Sequence, residues 1–161
     1  KHKAFLAQSN GKDPRRELAE ALCRDIPRDV CIMAYNDPFE KTRIREMASI
    51  YPDLYEHLMN IESHIVDLLV PFRQGCYYLP AMGGSFSIKV VLPALFPDNA
   101  ELNYHNLSTL VQNGGDAMTI FPKIQHMSPE EATQARQARL DYCHLDTLAM
   151  VRIWQELMRK V

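Results

Sequence analysis

The stretch Val30-Cys31-Ile32-Met33-Ala34-Tyr35-Asn36-Asp37-Pro38-Phe39-Glu40 decides the fold class. Its first five residues are apolar without alternation, which suits a strand buried on both faces, as in a parallel sheet. Asn36 and Asp37 then turn the chain, and Pro38 opens a helix expected to run through Met47. A strand handing over directly to a helix is the α/β pattern. Working outward, Asp13-Pro14-Arg15-Arg16-Glu17 combines an N-cap with an early helical proline. Leu18, Ala21 and Leu22 carry that helix to about Asp25. Downstream, Pro52 starts a helix to about Ile61, and Ile65-Val66-Asp67-Leu68-Leu69 reads as a second short extended segment.

Beyond it the chain from Phe72 to Gly84 is rich in Tyr, Pro and Gly and reads as irregular. Ser87 caps a helix reaching Leu95, a loop holds Pro97-Asp98-Asn99, and a helical stretch is expected around Leu107 to Val111. Ser128-Pro129-Glu130-Glu131 is a capping box opening a final helix or helix pair to about Arg159. At 161 residues and 47% apolar, the chain suffices for one domain with its own core. The expectation is a single, helix-rich α/β domain over 1–161. So apolar a strand needs neighbours, and with one or two strands in view they are expected upstream of Lys1, making the domain N-terminally incomplete. For the chain alone, the open edge is expected to be covered first by the same strand of a second copy, giving a homodimer, or else by a rearranged segment such as Ile65 to Val70.

Charge and cysteine content narrow the classes. Lys plus Arg at 18 against Asp plus Glu at 20 leaves a net charge of -2, with no overall basic bias toward nucleic acid. Cys23, Cys31, Cys76 and Cys143 are widely spaced and form no C-x-x-C pair, which points to reduced thiols and a cytoplasmic protein rather than a zinc site. No signal peptide opens the sequence, and the apolar runs are too short and too interrupted by charge to span a bilayer.

The chemistry-bearing residues lie far apart. Tyr142 and Asp146, in Tyr142-Cys143-His144-Leu145-Asp146, are four apart and share a helix face. Asn36 to Glu40 supply a second acid where strand gives way to helix. Alone, Asn36 is a turn residue, Glu40 a first-turn acid, and Tyr142 with Asp146 a half-buried aromatic beside a solvated charge. Together, acids at element ends with a tyrosine beside one suggest metal-dependent phosphodiester chemistry.

In order and spacing these residues resemble the DnaQ-like 3′-to-5′ exonucleases of ribonuclease H fold, the DEDD superfamily. Asn36-x-x-Phe39-Glu40 is similar to the second motif, with Glu in place of Asp. Tyr142-x-x-x-Asp146 is similar to the third motif of the tyrosine subclass. Ile65-Val66-Asp67-Leu68 and Ser87-Ile88-Lys89-Val90-Val91-Leu92 are similar to stretches between the two. More closely, "YNDPFEKTRIRE", "GSFSIKVVLPAL" and "YCHLDTLAM" resemble an uncharacterised bacterial family, domain of unknown function 2779. The first motif, Asp-x-Glu on a strand, does not occur ahead of Asn36.

The resemblance implies a three-layer α/β/α, ribonuclease H-like domain, here lacking its first strands, that is part of a longer polypeptide and acts on the 3′ end of DNA or RNA. It implies two magnesium or manganese ions, with Asp146 a direct ligand and Glu40 acting through water, their oxygens converging within roughly 10 Å. Tyr142 orients the attacking water, Asn36 fixes the turn or touches substrate, Phe39 packs beside the terminal nucleotide, and Lys89 adds positive charge with Lys41, Arg43 and Arg45. With the first-motif acids missing, this portion alone is expected to bind metal weakly and to be inactive. The alternative is a non-catalytic nucleic-acid-binding or protein-interaction module on the same fold.

Other signals in the sequence are weaker. Gly83-Gly84-Ser85 with Lys89 fails the spacing of a phosphate loop. His57 and His64 lack a third metal ligand, and His105 has Leu110 where a histidine-type nuclease would carry an acid. Tyr77, Tyr78 and Arg73 could stack bases at the mouth of a site.

Overall fold

The computed structural model describes residues 2–160. The chain is α/β and helix-rich, and it divides into two compact units, Asp13–Cys76 and Lys1–Lys12 with Tyr77–Val161. No helix among the described residues is long and apolar enough to cross a membrane.

In the Asp13–Cys76 unit, α1 (Arg15–Asp25), α2 (Pro38–Ile50) and α3 (Tyr55–Ser63) pack beside two strands, β1 (Ile32–Ala34) and β2 (Ile65–Asp67). A 3-10 turn at Pro52–Leu54 leads into α3, and α4 (Val70–Arg73) follows β2. The strands pair in parallel, Ile32 opposite Ile65 and Ala34 opposite Asp67. Ile65, in the segment expected as an alternative cover for the strand edge, thus lies along one side of β1. Only one face of this pair is sealed. Ala34 and Ile65 join Ala19, Ile44, Met47, Ala48, Leu58 and Ile61 in one core, whereas Val66 on the opposite face is 51% exposed. The expectation of a strand from Val30 to Ala34 buried on both faces is therefore corrected. The strand has three residues, Cys31 is exposed, and Ile32 and Met33 are half-buried. With one neighbouring strand and helices filling one face, the other face stays open to solvent.

Paired charges knit the outside of this unit. Arg16 grips Asp53 with two hydrogen bonds of 2.8 and 2.7 Å and reaches Glu20 at 2.7 Å. Arg45 donates to Glu62, a carboxylate 8% exposed. His57 meets the Ile26 carbonyl at 2.9 Å and His64 the Asn60 carbonyl at 2.8 Å, so both histidines serve the fold.

In the other unit, α5 (Ile88–Leu95), α6 (Gly114–Ile120) and α7 (Pro129–Met158) are joined by 3-10 turns at Ala100–Leu102, Tyr104–Asn106 and Phe121–His126. The final helix is one uninterrupted element of 30 residues. Its capping box forms as the sequence indicates, the Ser128 hydroxyl accepting from Glu131 N–H while the Glu131 carboxylate accepts from Ser128 N–H. Ala135, Ala138, Leu145, Ala149 and Ile153 recur at helical spacing and form its buried stripe. Pro93, lacking a donor, sits near the end of α5, which stops two residues later.

One expected helix is absent. Leu107 to Val111 runs through bends and turns, and the helix begins instead at Gly114. Asn113 decides this, its side chain accepting from Asp116 N–H at 3.0 Å, while Asp116 accepts from Gln112 N–H and the Asn113 amide. Gly83 and Gly84 both have positive φ, 56° and 82°, and shape a turn after Pro80–Met82.

Candidate functional site

The residues singled out from the sequence fall in two places. In the Asp13–Cys76 unit, the parallel strands bring Asn36 and Asp67 to the same carboxyl end. Asn36 takes a left-handed φ of 64°, a conformation its short polar side chain tolerates. Its N–H donates to Asp67 Oδ1 at 2.8 Å, and Leu69 N–H donates to the same oxygen at 2.9 Å. Asp67 thus ties the two strand ends together, and the extended segment expected to reach Leu69 ends at Asp67 for this reason. The role was not assigned from the sequence, although an acid closing an apolar strand before a turn is its local signal.

Phe39 is 53% exposed on the first turn of α2, with the Arg43 guanidinium 5.6 Å from its ring centroid. Glu40 is exposed beside it. The basic residues that follow are engaged by carboxylates: Lys41 with Asp37 at 2.5 Å, Arg43 with Glu46 at 3.0 Å, and Arg45 with Glu62. The local positive charge expected of Lys41, Arg43 and Arg45 is therefore largely balanced.

In the other unit, Asp146 is half-buried at the middle of α7. The Tyr104 hydroxyl donates to Asp146 Oδ1 at 2.6 Å. Lys89 Nζ lies 5.5 Å from the Tyr104 ring centroid and donates to the Gln112 carbonyl at 2.8 Å. Burial raises the Asp146 carboxyl above the ordinary carboxylate range, opposed by the Tyr104 hydrogen bond and the Lys89 charge. Burial first, and then the accepting carboxylate, push the Tyr104 phenol far up, so it stays a donor throughout the neutral range.

Tyr142 stands one turn before Asp146, its ring centroid 6.3 Å from that of Tyr104. It packs against the core formed by Val111, Ala117, Ile120, Ile124, Ala135 and Ala138. A Cβ on Gly114 would lie 3.8 Å from its hydroxyl. The sequence pointed to Tyr142 as the tyrosine of this site and missed Tyr104, which lies 42 residues before Asp146. No local spacing links a loop tyrosine to a helix so distant.

Beside Tyr104 opens a cleft of about 280 Å³, lined by Lys89, Pro93, Phe96, Pro97, His105 and neighbouring residues. Among the described residues, no group of three or more His, Cys, Asp or Glu side chains is arranged to hold a metal ion. Asp146 offers one carboxylate, with one oxygen already accepting from Tyr104, and magnesium favours an octahedral oxygen shell. This donor set does not by itself complete a divalent-cation site, and Glu40 belongs to the other compact unit. What the side chains present can do is hold a carboxylate in one orientation and offer an ammonium group beside it.

Nothing among curated proteins or solved structures matches the chain. A family model described as a domain of unknown function (DUF2779) matches residues 1–87. That span takes in α1 to α4 and the β1–β2 pair, and stops short of Lys89, Tyr104, Tyr142 and Asp146. Covering more than half of the chain, the match establishes that the protein belongs to the DUF2779 family.

Proposed function

We propose that the chain is the later portion of a ribonuclease H-like, metal-dependent exonuclease domain of the tyrosine type, which in the intact protein trims DNA or RNA from a 3′ end. The observation that carries this reading is the Tyr104–Asp146 pair. A half-buried acid with a displaced pKa, held by a phenol beside a lysine and next to a cleft, is the arrangement expected of a functional carboxylate. The parallel strands support the same reading, since open α/β sheets carry ligands at the carboxyl ends of their strands, where Asn36 to Glu40 stand.

In this reading Asp146 is one ligand of magnesium or manganese, and the acids that complete the site are ones the unit containing α7 does not itself supply among the described residues. Asn36, Phe39 and Lys89 contact the nucleotide, and Tyr142 orients water. The chain by itself then binds divalent metal weakly and does not hydrolyse nucleic acid. The rival is a non-catalytic module that binds nucleic acid or protein. The Lys89 charge within the field of Asp146 favours it, because that charge compensates the carboxylate without a metal.

A protein extended upstream, assayed on a 3′-labelled oligonucleotide with manganese, separates the two. The nuclease reading expects metal-dependent shortening that falls by a factor on the order of 100 or more in Asp146→Asn, as loss of an essential group does. Cleavage indifferent to that substitution, or oligonucleotide binding without cleavage, would overturn it.

A further inference from the structure

The cleft beside Tyr104 has a chemistry of its own. Its apolar lining comes from Pro93, Phe96, Pro97, the buried Leu102 and Tyr104. Several of its polar groups are donors. The Asn99 side-chain oxygen accepts from Glu101 N–H at 3.0 Å and the Asn103 oxygen from His105 N–H at 2.9 Å, which leaves the two amide NH2 groups to offer hydrogen bonds. Lys89 adds an ammonium group, held by the Gln112 carbonyl at 2.8 Å with two further N–H donors free of that bond. Among the described residues lining the cleft, none is Asp or Glu.

The walls are fixed before any ligand arrives. Asn99 and Asn103 cap successive 3-10 turns, and the Asn106 amide donates to the Ala100 carbonyl at 2.8 Å across them. The Tyr104 ring is anchored through its hydroxyl on Asp146. Such pre-ordering lowers the entropy lost on binding.

Apolar and aromatic lining beside two amide donors and one lysine suits a flat ring rich in acceptors that carries an anion. We infer that this cleft binds a nucleoside 5′-monophosphate, the base lying over Phe96 and Tyr104 and the phosphate meeting Lys89. Choosing a nucleotide among flat anions rests on the exonuclease reading, because 3′-to-5′ hydrolysis releases that product; the binding itself needs neither metal nor cleavage. Aromatic stacking serves any base, so the site discriminates little between purines.

Amide chemical shifts of the full chain, titrated without metal, test this with AMP, adenosine and inorganic phosphate. AMP is expected to move the amides of Phe96 to His105 and to bind at least about fivefold more tightly than either fragment. Lys89→Met is expected to weaken AMP by about fivefold or more while leaving adenosine unchanged, and Phe96→Ala to weaken both AMP and adenosine. Shifts confined to residues away from the cleft lining, no saturation at millimolar AMP, or equal affinity for AMP and phosphate would overturn the inference. A loss of shift dispersion in Phe96→Ala would mark misfolding, and the Lys89→Met comparison then decides alone. AMP binding without nuclease activity in the extended protein would sink the exonuclease reading and leave the cleft standing; cleavage without AMP binding would do the reverse.

Discussion

The two compact units differ in how they hold polar groups. In Asp13–Cys76 nearly every strong cation has a carboxylate beside it, most of them near water, as with Arg16 and Asp53 or Lys41 and Asp37. In the other unit, polar groups lie buried without partners: Ser9 Oγ, Arg139 Nε and Nη1, and Arg152 Nε. The same unit holds the raised Asp146 carboxyl and the raised Tyr104 phenol. Exposed pairs contribute little each, whereas buried polar groups cost stability and persist where something other than stability keeps them. The contrast is one of stability: among the described residues, unpaired buried groups weigh on the unit that contains α7 and not on Asp13–Cys76.

The largest expected effect comes from setting one arginine of each unit against the other. Arg45→Met leaves Glu62 buried without its cation and should destabilise the protein by about 1–3 kcal/mol in urea unfolding. Arg139→Met removes donors that have no partner while keeping contact with Phe121, over which the guanidinium sits at 4.4 Å. Its stability should change by no more than about 0.5 kcal/mol, or rise. Equal losses from the two would erase the distinction between the units.

Tyr104→Phe sharpens it. Deleting the hydroxyl leaves a part-buried carboxylate without its donor, at an expected cost of about 1–2 kcal/mol. Adding Asp146→Asn should recover part of that loss, because a neutral amide is less penalised by burial than a carboxylate. A double-mutant cycle with no coupling between the two positions would contradict the pairing.

The smallest effect lies at the start of α7. Ser128→Ala should cost about 1 kcal/mol. The Ser128 hydroxyl first, and its N–H second, hold the Glu131 carboxyl below its ordinary value of 4.5. A lowered folded value means that the stabilisation is complete above that ordinary value and is lost as pH falls through the lower folded one. Thermal melts at pH 6 and pH 3 should therefore show less acid destabilisation in Glu131→Gln than in the parent chain.

What could be read in advance follows the reach of each signal. Pro38, Pro52 and the Ser128-Pro129 box mark element starts within a residue or two, because a cap or a fixed φ acts on its immediate neighbours. The parallel strands were legible as extended segments, but not the exposure of Val66, which depends on what other elements leave uncovered. The supposed helix at Leu107 to Val111 lost to a cap six residues beyond its start, where Asn113 and Asp116 bond one another. Asp146 stood out through its spacing from Tyr142. Its hydrogen-bond donor, Tyr104, did not, since a contact across 42 residues is made by tertiary packing and leaves no period in the sequence.

The last helix has a mechanical consequence. Its 30 residues span about 45 Å, and after Pro129 neither glycine nor proline offers a hinge. Such a rod transmits torque rather than absorbing it. Met158 and Asp146 lie about 18 Å apart along the axis with no hinge residue between them, so a bend there would have to come from packing rather than from sequence.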